Sequence, residues 1–175
     1  MGGASGDAEW KEAVVFEPLF PDVEPPERAT EDSAGYDVRA HLRGRTVRVV
    51  ARGVVLERAL RDEETLVLAP GETALVPLGF RARLPRRYEA QMRLRSSIAF
   101  KRALVMPNAP GTIDADYPDE WLAMLRNVGD APVRIAHGER IAQFVIARYA
   151  VLEWRRGEVG VSSSRTGGLG STGTT

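Results

Sequence analysis

At positions 108–117 the sequence reads Asn-Ala-Pro-Gly-Thr-Ile-Asp-Ala-Asp-Tyr. The Pro-Gly step is typical of the tight end of a β-hairpin, and two carboxylates and an aromatic ring follow it. An aspartate at a strand end can orient a water molecule and accept its proton. Strict alternation along a strand would place Asp114 and Tyr117 on opposite faces, so the chain must bend or bulge here if both contact one ligand. Taken alone, the stretch is more typical of an acidic, solvated hairpin than of a catalytic site.

The overall composition predicts one globular domain. The chain has 175 residues, of which 43% are hydrophobic, enough for one sizeable core and too many for disorder throughout. Its 24 basic and 24 acidic residues balance, so no global field recruits nucleic acid or an acidic membrane, and we expect neither as a partner. No apolar run reaches the roughly 18 residues of a membrane span. The absence of cysteine excludes thiolate metal sites and fits a reducing cytoplasm.

Short β-type runs, separated by proline, glycine and charged turns, follow one another from position 13 onward. Their spacing of roughly 8–12 residues predicts an antiparallel sandwich or barrel. The predicted strands lie at 13–16, 46–50, 53–56, 65–69, 73–77, 80–84, 88–94, 120–127, 133–136 and 141–152. Two segments, 59–64 and 97–104, have the composition of short helices. The predicted fold class is therefore all-β with one or two short helices.

The composition also divides the chain into segments. Residues 1–12 are predicted to be a flexible tail, 13–158 the β domain and 159–175 a Gly-, Ser- and Thr-rich arm. Such an arm is usually a frayed end, although its Gly-Gly-Leu-Gly-Ser-Thr-Gly run resembles loops that wrap phosphate oxygens. The arginine-rich stretch 42–65 is an extra excursion, either a cationic lip over a phosphate site or a solvated hairpin. His41 and His137 are predicted to lie at the surface, without a role.

Five clusters occur in order along the chain. They are Ala34-Gly35-Tyr36-Asp37-Val38, Arg95-Ser96-Ser97-Ile98-Ala99, the stretch 108–117, Gly138-Glu139-Arg140-Ile141-Ala142-Gln143-Phe144-Val145-Ile146, and Arg165-Thr166-Gly167-Gly168-Leu169-Gly170-Ser171-Thr172-Gly173. Their order and spacing closely resemble the five motifs of the homotrimeric dUTPase family. The resemblance implies a β jelly-roll or distorted β-barrel subunit, assembled into a homotrimer whose active sites are each built from more than one chain. It also implies Mg²⁺-dependent hydrolysis of dUTP to dUMP and diphosphate, which limits uracil in DNA and supplies dUMP for dTMP synthesis.

The resemblance assigns the nucleoside end of the site to the stretch 108–117. Asp114 matches the general base that activates the water attacking the α-phosphorus, a role typically worth about 10²–10⁴-fold in rate. Tyr117 matches the ring that packs on the deoxyribose, where a 2′-hydroxyl would need room. Asn108 matches a position lining the uracil pocket, although the same residue is also a common turn former. The backbone that bonds the base edge would be that of Gly111, Thr112 and Ile113.

The phosphate end matches Arg95, Ser96 and Ser97. A guanidinium fork can bridge oxygens of neighbouring phosphates, and the hydroxyls and N–H groups of a starting helical turn can complete the cradle. The alternative is that Ser96 or Ser97 simply caps a helix. Both can hold, because a capped helix N-terminus is itself an anion site.

Gln143 and Asp37 match polar positions near the metal and its waters. Mg²⁺ keeps several waters and binds mainly through phosphates in such sites, so we expect no cage made only of protein ligands. The alternatives are structural: Gln143 as a polar residue between buried neighbours, and Asp37 on the wet side of a strand. The run Gly138-Glu139-Arg140 could likewise be a turn with a surface ion pair.

The C-terminal arm matches the mobile motif that closes over the active site. Arg165, Ser171 and Thr172 match residues near the γ-phosphate, with Leu169 and Gly170 between them. The family usually has phenylalanine where this chain has Leu169, and leucine lacks a ring face for stacking on uracil. The aromatic-pair scale predicts a loss of about 0.5–1.5 kcal/mol in lid affinity. A second departure is Pro118-Asp119, where arginine-glycine is common.

Two rival functions remain to be weighed. The dCTP deaminase family shares the fold and the Arg-Ser-Ser motif, but its catalytic glutamate aligns with Met124 and the arginine partner with Phe100. Neither side chain can move a proton, which argues against deamination. The other rival is a non-catalytic jelly-roll regulatory protein. Against it stands the retention of Asp114 together with Arg95, Gln143 and Arg165.

Overall fold

The structure is a computed structural model that describes residues 13–60 and 65–160. Within these ranges the chain forms fourteen strands and one helix. The elements are β1 (Val15–Pro18), β2 (Glu27–Arg28), β3 (Gly35–Arg39), β4 (Arg45–Ala51), β5 (Val54–Leu60), β6 (Thr65–Leu68), β7 (Thr73–Pro77), β8 (Phe80–Arg83), β9 (Tyr88–Leu94), α1 (Ser96–Arg102), β10 (Leu104–Val105), β11 (Gly111–Ile113), β12 (Leu122–Asn127), β13 (Val133–Ala136) and β14 (Arg140–Arg148). The all-β fold class with a short helix is confirmed. The predicted tail 1–12 lies outside the described residues.

Two five-stranded antiparallel sheets make up most of the domain. One has the order β11-β9-β14-β3-β2 and is called the site sheet below, because three of its strands carry candidate residues and Arg95 directly follows a fourth. The other has the order β10-β12-β7-β4-β5, and the pairs β1-β8 and β13-β6 complete the described architecture. Apolar side chains alternate inward along β6, β7 and β12, as expected for strands with one buried face.

An aromatic cluster lies in the core. Trp121 is fully buried, with its ring 5.3 Å from that of Phe80 and 5.1 Å from that of Phe144. Phe144 in turn stacks on Tyr36 at 5.2 Å. Because Phe144 and Tyr36 are cross-strand partners in the site sheet, the same rings that fill the core fix the register of the strands that carry Gln143 and Asp37.

The excursion 42–65 contains a β-hairpin that extends the second sheet. β4 pairs with β5 and, on its other side, with β7. The hairpin turn falls at Arg52 and Gly53, whose positive φ values of 49° and 79° match the two-residue turns that follow the twist of the strands. Some of its arginines form ion pairs and others are exposed to solvent.

Two arginines of this hairpin are held by carboxylates. Arg45 forms a bidentate pair with Glu120, at 3.1 and 2.5 Å, and Arg58 pairs with Glu72 at 2.9 Å. The side chain of Arg48 points to solvent. This geometry is that of the hairpin alternative.

The two expected helices have different outcomes. The helix expected at 97–104 is present as α1 (Ser96–Arg102), which is followed by Ala103 as C-cap residue in the left-handed conformation (φ 49°). The helix expected at 59–64 is wrong for its described part, since Ala59 and Leu60 pair with β4 as the last residues of β5. Leu60 is buried there, so burial against the sheet outweighs its local helix propensity. Among residues 13–60 and 65–160, no helix is long and apolar enough to cross a membrane.

Candidate active site

Two arginines and one aspartate converge at one end of the site sheet. Arg95 follows β9, Asp37 lies in β3 and Arg140 begins β14. Asp37 Oδ1 is 3.1 Å from Arg95 Nε, and Asp37 Oδ2 is 3.2 Å from Arg140 Nη1. Arg95 also donates to the backbone oxygen of Arg140 at 3.4 Å. One largely buried carboxylate therefore orients two guanidinium groups, leaving their remaining N–H groups for an anion. We call these three residues the arginine cluster.

Gln143 lies beside the arginine cluster. It is the cross-strand partner of Asp37 in β3 and of Arg93 in β9, and it is half-buried between the buried residues Ala142 and Phe144. A Cβ atom at Gly35 would lie 2.1 Å from Gln143 Oε1. The glycine in the first cluster therefore makes room for the amide of the fourth, and Gln143 is both a strand residue with buried neighbours and a polar group at the site.

The serines begin helix α1. Arg95 itself is the N-cap residue, in an extended conformation and without a side-chain capping bond. The expectation that Ser96 or Ser97 caps the helix is therefore wrong. Both serines are exposed within the first turn, where backbone N–H groups have no intrahelical partner. Hydroxyls and N–H groups thus lie directly beside Arg95.

The predicted bend between Asp114 and Tyr117 is present. β11 ends at Ile113, and the backbone N–H of Tyr117 donates to the oxygen of Asp114 at 3.2 Å, closing a turn in place of a continued strand. Both side chains are exposed, with Tyr117 38% accessible. The turn removes the alternation that would have separated the carboxylate from the ring.

Asn108 lies against the start of β11. A Cβ atom at Gly111 would be 2.9 Å from Asn108 Nδ2, so only glycine permits this close approach of the amide to the backbone. Thr112 is exposed and Ile113 is half-buried. Asn108 and the β11 backbone thus form a continuous polar edge that ends at Asp114.

The two groups of candidate residues lie at opposite ends of β9. Gly111, Thr112 and Ile113 pair with Met92, Gln91 and Ala90, so Asp114 is level with the beginning of β9 and Arg95 lies beyond its end. At about 3.4 Å per residue, this register separates Asp114 from Arg95 by about 20 Å. Within one chain, the candidate base and the arginine cluster do not meet.

Sequence pattern alone did not place Arg140 in the site, and the candidate residues of the C-terminal arm lie outside the described residues. Arg140 was expected only as part of a surface ion pair, although its partner is Asp37, 103 residues away. The signal available in the sequence was its place three residues before Gln143. The residues Arg165, Leu169, Gly170, Ser171 and Thr172, and with them most of the arm 159–175, lie outside the described residues.

The surface prediction for the two histidines is wrong. His41 is buried, with 5% of its surface accessible, and His137 is half-buried. Both approach Asp22 through Nε2, each at 3.3 Å. Asp22 comes from the proline-rich segment after β1, a contact that short-range sequence pattern does not predict.

Comparison with known proteins defines the class first. A family model described as dCTP deaminase-like matches residues 22–149. The chain is 46% identical, over 124 residues, to a deoxyuridine 5′-triphosphate nucleotidohydrolase of Rhizobium rhizogenes, an alignment that covers 70% of this chain and 80% of the relative. The chain therefore belongs to the dUTPase family within this class, and the resemblance drawn from the five motifs is confirmed.

Solved dUTPase structures share the fold. The dUTPase of Staphylococcus bacteriophage 80alpha, solved with dUPNHPP, is 25% identical with a TM-score of 0.73, covering 93% of this chain and 99% of that one. A mutant dUTPase from phage phi11 of S. aureus, described with a structural Mg(II) ion, is 22% identical with a TM-score of 0.67, covering 86% and 99%. The second likeness supports the fold alone.

Proposed function

We propose that this chain is a dUTP diphosphatase, which hydrolyses dUTP to dUMP and diphosphate with Mg²⁺. The observation that carries the proposal is the presence, at opposite ends of one sheet, of an arginine cluster and an aspartate–tyrosine turn, in a chain 46% identical to a dUTP nucleotidohydrolase. Such an enzyme limits uracil in DNA and supplies dUMP for dTMP synthesis. We place the activity in the cytoplasm, whose reducing conditions suit a chain without cysteine.

The proposed active site is shared between chains of a homotrimer. The support is the separation of about 20 Å, inferred from strand register, between Asp114 and Arg95. A single α-phosphorus cannot be within bonding reach of both groups of one chain. A second chain that places its arginine cluster beside the first chain's Asp114 completes the site, and rotational symmetry repeats it at every interface.

In the proposed reaction Asp114 orients a water molecule and accepts its proton as the oxygen attacks the α-phosphorus. The bond from that phosphorus to the bridging oxygen breaks, and diphosphate leaves. Tyr117 packs on the deoxyribose and excludes a 2′-hydroxyl, while Asn108 and the β11 backbone bind the uracil edge. Arg95 and Arg140, oriented by Asp37, hold the phosphate chain together with Ser96 and Ser97.

The residues present fit a magnesium ion carried by the substrate. Asp37 and Gln143 are cross-strand neighbours that offer oxygen atoms, the donors that Mg²⁺ prefers. Asp37 belongs to no cluster of three ligand-type side chains among the described residues, so these residues would hold the ion through its waters. When bound, Mg²⁺ would neutralise charge on the phosphates. The arm 159–175, with Arg165, Ser171 and Thr172 toward the γ-phosphate and Leu169 over the base, would then close the site.

The structure argues against deamination by this chain. Met124 lies in β12, half-buried, and Phe100 on α1 is 91% exposed, so no acid–base pair occupies the two positions aligned with the deaminase residues. A non-catalytic role is the remaining alternative, and the variant described next tests it.

The test is diphosphate release from dUTP, dCTP, TTP and UTP with Mg²⁺. We expect turnover of dUTP alone among the four, and a fall of about 10²–10⁴-fold in kcat for Asp114→Asn with binding of the analogue dUPNHPP retained. Asp116→Asn, two residues away on the same turn, is the matched control and should keep most of the rate. Equal rates for wild type and Asp114→Asn would remove Asp114 as the base, and release of dUTP from dCTP would establish a deaminase.

A further inference from the structure

One buried histidine, one half-buried histidine and one aspartate tie the segment 19–26 to the barrel. The segment runs between β1 and β2 and carries Phe20 and Asp22. Asp22 Oδ1 is 3.3 Å from His41 Nε2, and Asp22 Oδ2 is 3.3 Å from His137 Nε2. His41 follows β3 and His137 follows β13, so one carboxylate joins three separate parts of the chain. Nothing in the proposed reaction uses these side chains.

The composition is that of a metal site, but the hydrogen bonds oppose one. The three side chains each offer a ligand atom, all within 4.8 Å of one another. His137 Nδ1, however, accepts the backbone N–H of Leu42 at 3.0 Å and that of Arg43 at 3.4 Å. Its proton is therefore on Nε2, the atom that a metal would need as a lone pair, whereas metal-bound histidines donate from their second nitrogen. The Nε2–H group instead donates to Asp22.

The environment of His41 disfavours the doubly protonated, charged ring. Its Nε2 faces Asp22, and its Nδ1 is buried without a hydrogen-bond partner. The ring is covered by Phe20, stacked at 4.1 Å. A proton on Nδ1 would leave a buried charged donor unpaired, which is costly. Phe20 covers one face of the ring, so movement of Phe20, and with it the segment 19–26, would expose the ring to water.

We propose that Asp22, His41 and His137 form a proton-sensitive clamp, which holds the segment 19–26 closed at neutral pH and releases it on acidification. Protonation of His41 is compatible with the open segment and incompatible with the closed one. The charged and titratable groups that face this histidine are Asp22 from the segment itself, His137 after β13, Arg43 before β4, and Arg45 in β4 with its partner Glu120.

The direction of the titration agrees with the geometry. Burial lowers the pKa of His41 below its ordinary value, against the opposing effect of Asp22. A lowered pKa means that the closed state favours the neutral ring, so the contribution is complete above the ordinary value of about 6.5 and is lost as the pH falls below it. Burial alone would raise the pKa of Asp22, yet its bonds to His41 and His137 hold it below the usual range. The carboxylate therefore stays charged while His41 titrates.

Release of the segment would open a cavity next to the arginine cluster. The segment and β2 line one side of a cavity of about 500 Å³, and Asp37 and Arg140 lie on its wall. Glu27 of β2 is the cross-strand partner of Asp37. An effect of the clamp on dUTP turnover rests on the proposed function. The clamp itself does not, and it is tested without any nucleotide.

Hydrogen exchange of the full chain tests the clamp directly. Leu19 N–H donates to Gly79 O at 2.8 Å and Val23 N–H to Phe20 O at 3.2 Å, so both amides report on the segment. After correction for intrinsic exchange, we expect their opening constant to rise about tenfold per pH unit below about pH 6.5, the slope for one linked proton. Amides of the β9–β14 ladder serve as the internal standard and should show no such rise. A segment whose opening is independent of pH would overturn the proposal, even if the chain hydrolyses dUTP.

Two variants and one metal complete the experiment. His41→Phe keeps a ring against Phe20 without a titratable proton, and its segment should lose the pH slope, whereas a slope like that of the wild type would overturn the role of His41. Glu24→Gln removes a carboxylate from the same segment outside the clamp and should behave as the wild type does. Zn²⁺ added at neutral pH should leave exchange unchanged. Saturable protection of the segment by Zn²⁺ would establish a metal site and overturn the clamp.

Discussion

Two inactive variants, Arg95→Ala and Asp114→Asn, should restore activity when they are assembled together. Asp114 is level with the beginning of β9, since Ile113 pairs with Ala90, and Arg95 follows the end of the same strand. In the proposed shared site, this separation of about 20 Å means that each complete site takes the two residues from different chains. Each variant damages one half of every site and leaves the other half intact.

The size of the effect follows from the geometry of assembly. In a random equal mixture, half of the chains supply an intact Asp114 and the other half an intact Arg95, so about a quarter of the sites combine both in a symmetric oligomer. Sites built within one chain would never be complete. The Asp114→Asn parent should retain at most about 1% of the wild-type rate, so a recovery to about 25% stands far above the background.

The assay is diphosphate release after joint refolding of the two variants, with light scattering to verify the mass of the assembly. The matched control mixes wild type with the double variant Arg95→Ala/Asp114→Asn in equal amounts. Shared sites predict about a quarter of the wild-type rate and single-chain sites about a half. No recovery in the first mixture, with a half in the second, would refute the shared site, as would a monomeric mass for an active enzyme.

Three further predictions concern the site sheet and the hairpin. Asp37→Asn removes the charge that orients two guanidinium groups. Because a hydrogen bond to a charged group contributes about 1.5–3 kcal/mol, we expect kcat/KM for dUTP to fall at least about tenfold in steady-state assays. An unchanged kcat/KM would show that the two arginines need no carboxylate partner. Gly35→Ala places a Cβ atom 2.1 Å from Gln143 Oε1, the far end of a flexible side chain that must move aside, so we expect the free energy of unfolding in urea to fall by only about 1 kcal/mol. Gly157→Ala, where no atom lies within 4 Å and φ is not positive, is the matched control. A hydrogen bond from Arg58 is the main cause that lowers the pKa of Glu72, so the stabilisation from the ionised carboxylate is complete above the ordinary pKa of 4.5 and is lost below it. Glu72→Gln should therefore lose less stability than the wild type when urea titrations are carried from about pH 6 to about pH 3. Parallel losses in the two proteins would contradict this interpretation.

Much of the fold follows from local pattern. The alternating runs at 73–77, 88–94 and 133–136 coincide with β7, β9 and β13, because a half-buried strand leaves a period-two signature. The bend after Ile113 was also predictable, since a carboxylate and a ring three positions apart cannot share a face of a straight strand. These features depend only on neighbours in sequence.

What could not be predicted depends on long-range pairing. The bond between Asp37 and Arg140 joins residues 103 positions apart, and it exists because β3 and β14 are neighbours, which periodicity does not encode. The burial of His41 has the same origin, since Phe20, which covers it, arrives from a loop that has no periodic pattern. At Leu60 the local composition predicted a helix, but the residue ends strand β5, where it is buried against the sheet.

The inserted hairpin has a consequence for any attempt to trim this chain. β4 occupies the flank of β7 by pairing with Thr73, Ala74 and Leu75. Cutting the hairpin away would keep every described residue assigned to chemistry, yet it would strip this flank and leave a row of unsatisfied amides and carbonyls on an apolar strand. A shortened chain without the hairpin would therefore be more prone to aggregate through this exposed strand edge. We expect the first sign of this to be a lower soluble yield during expression.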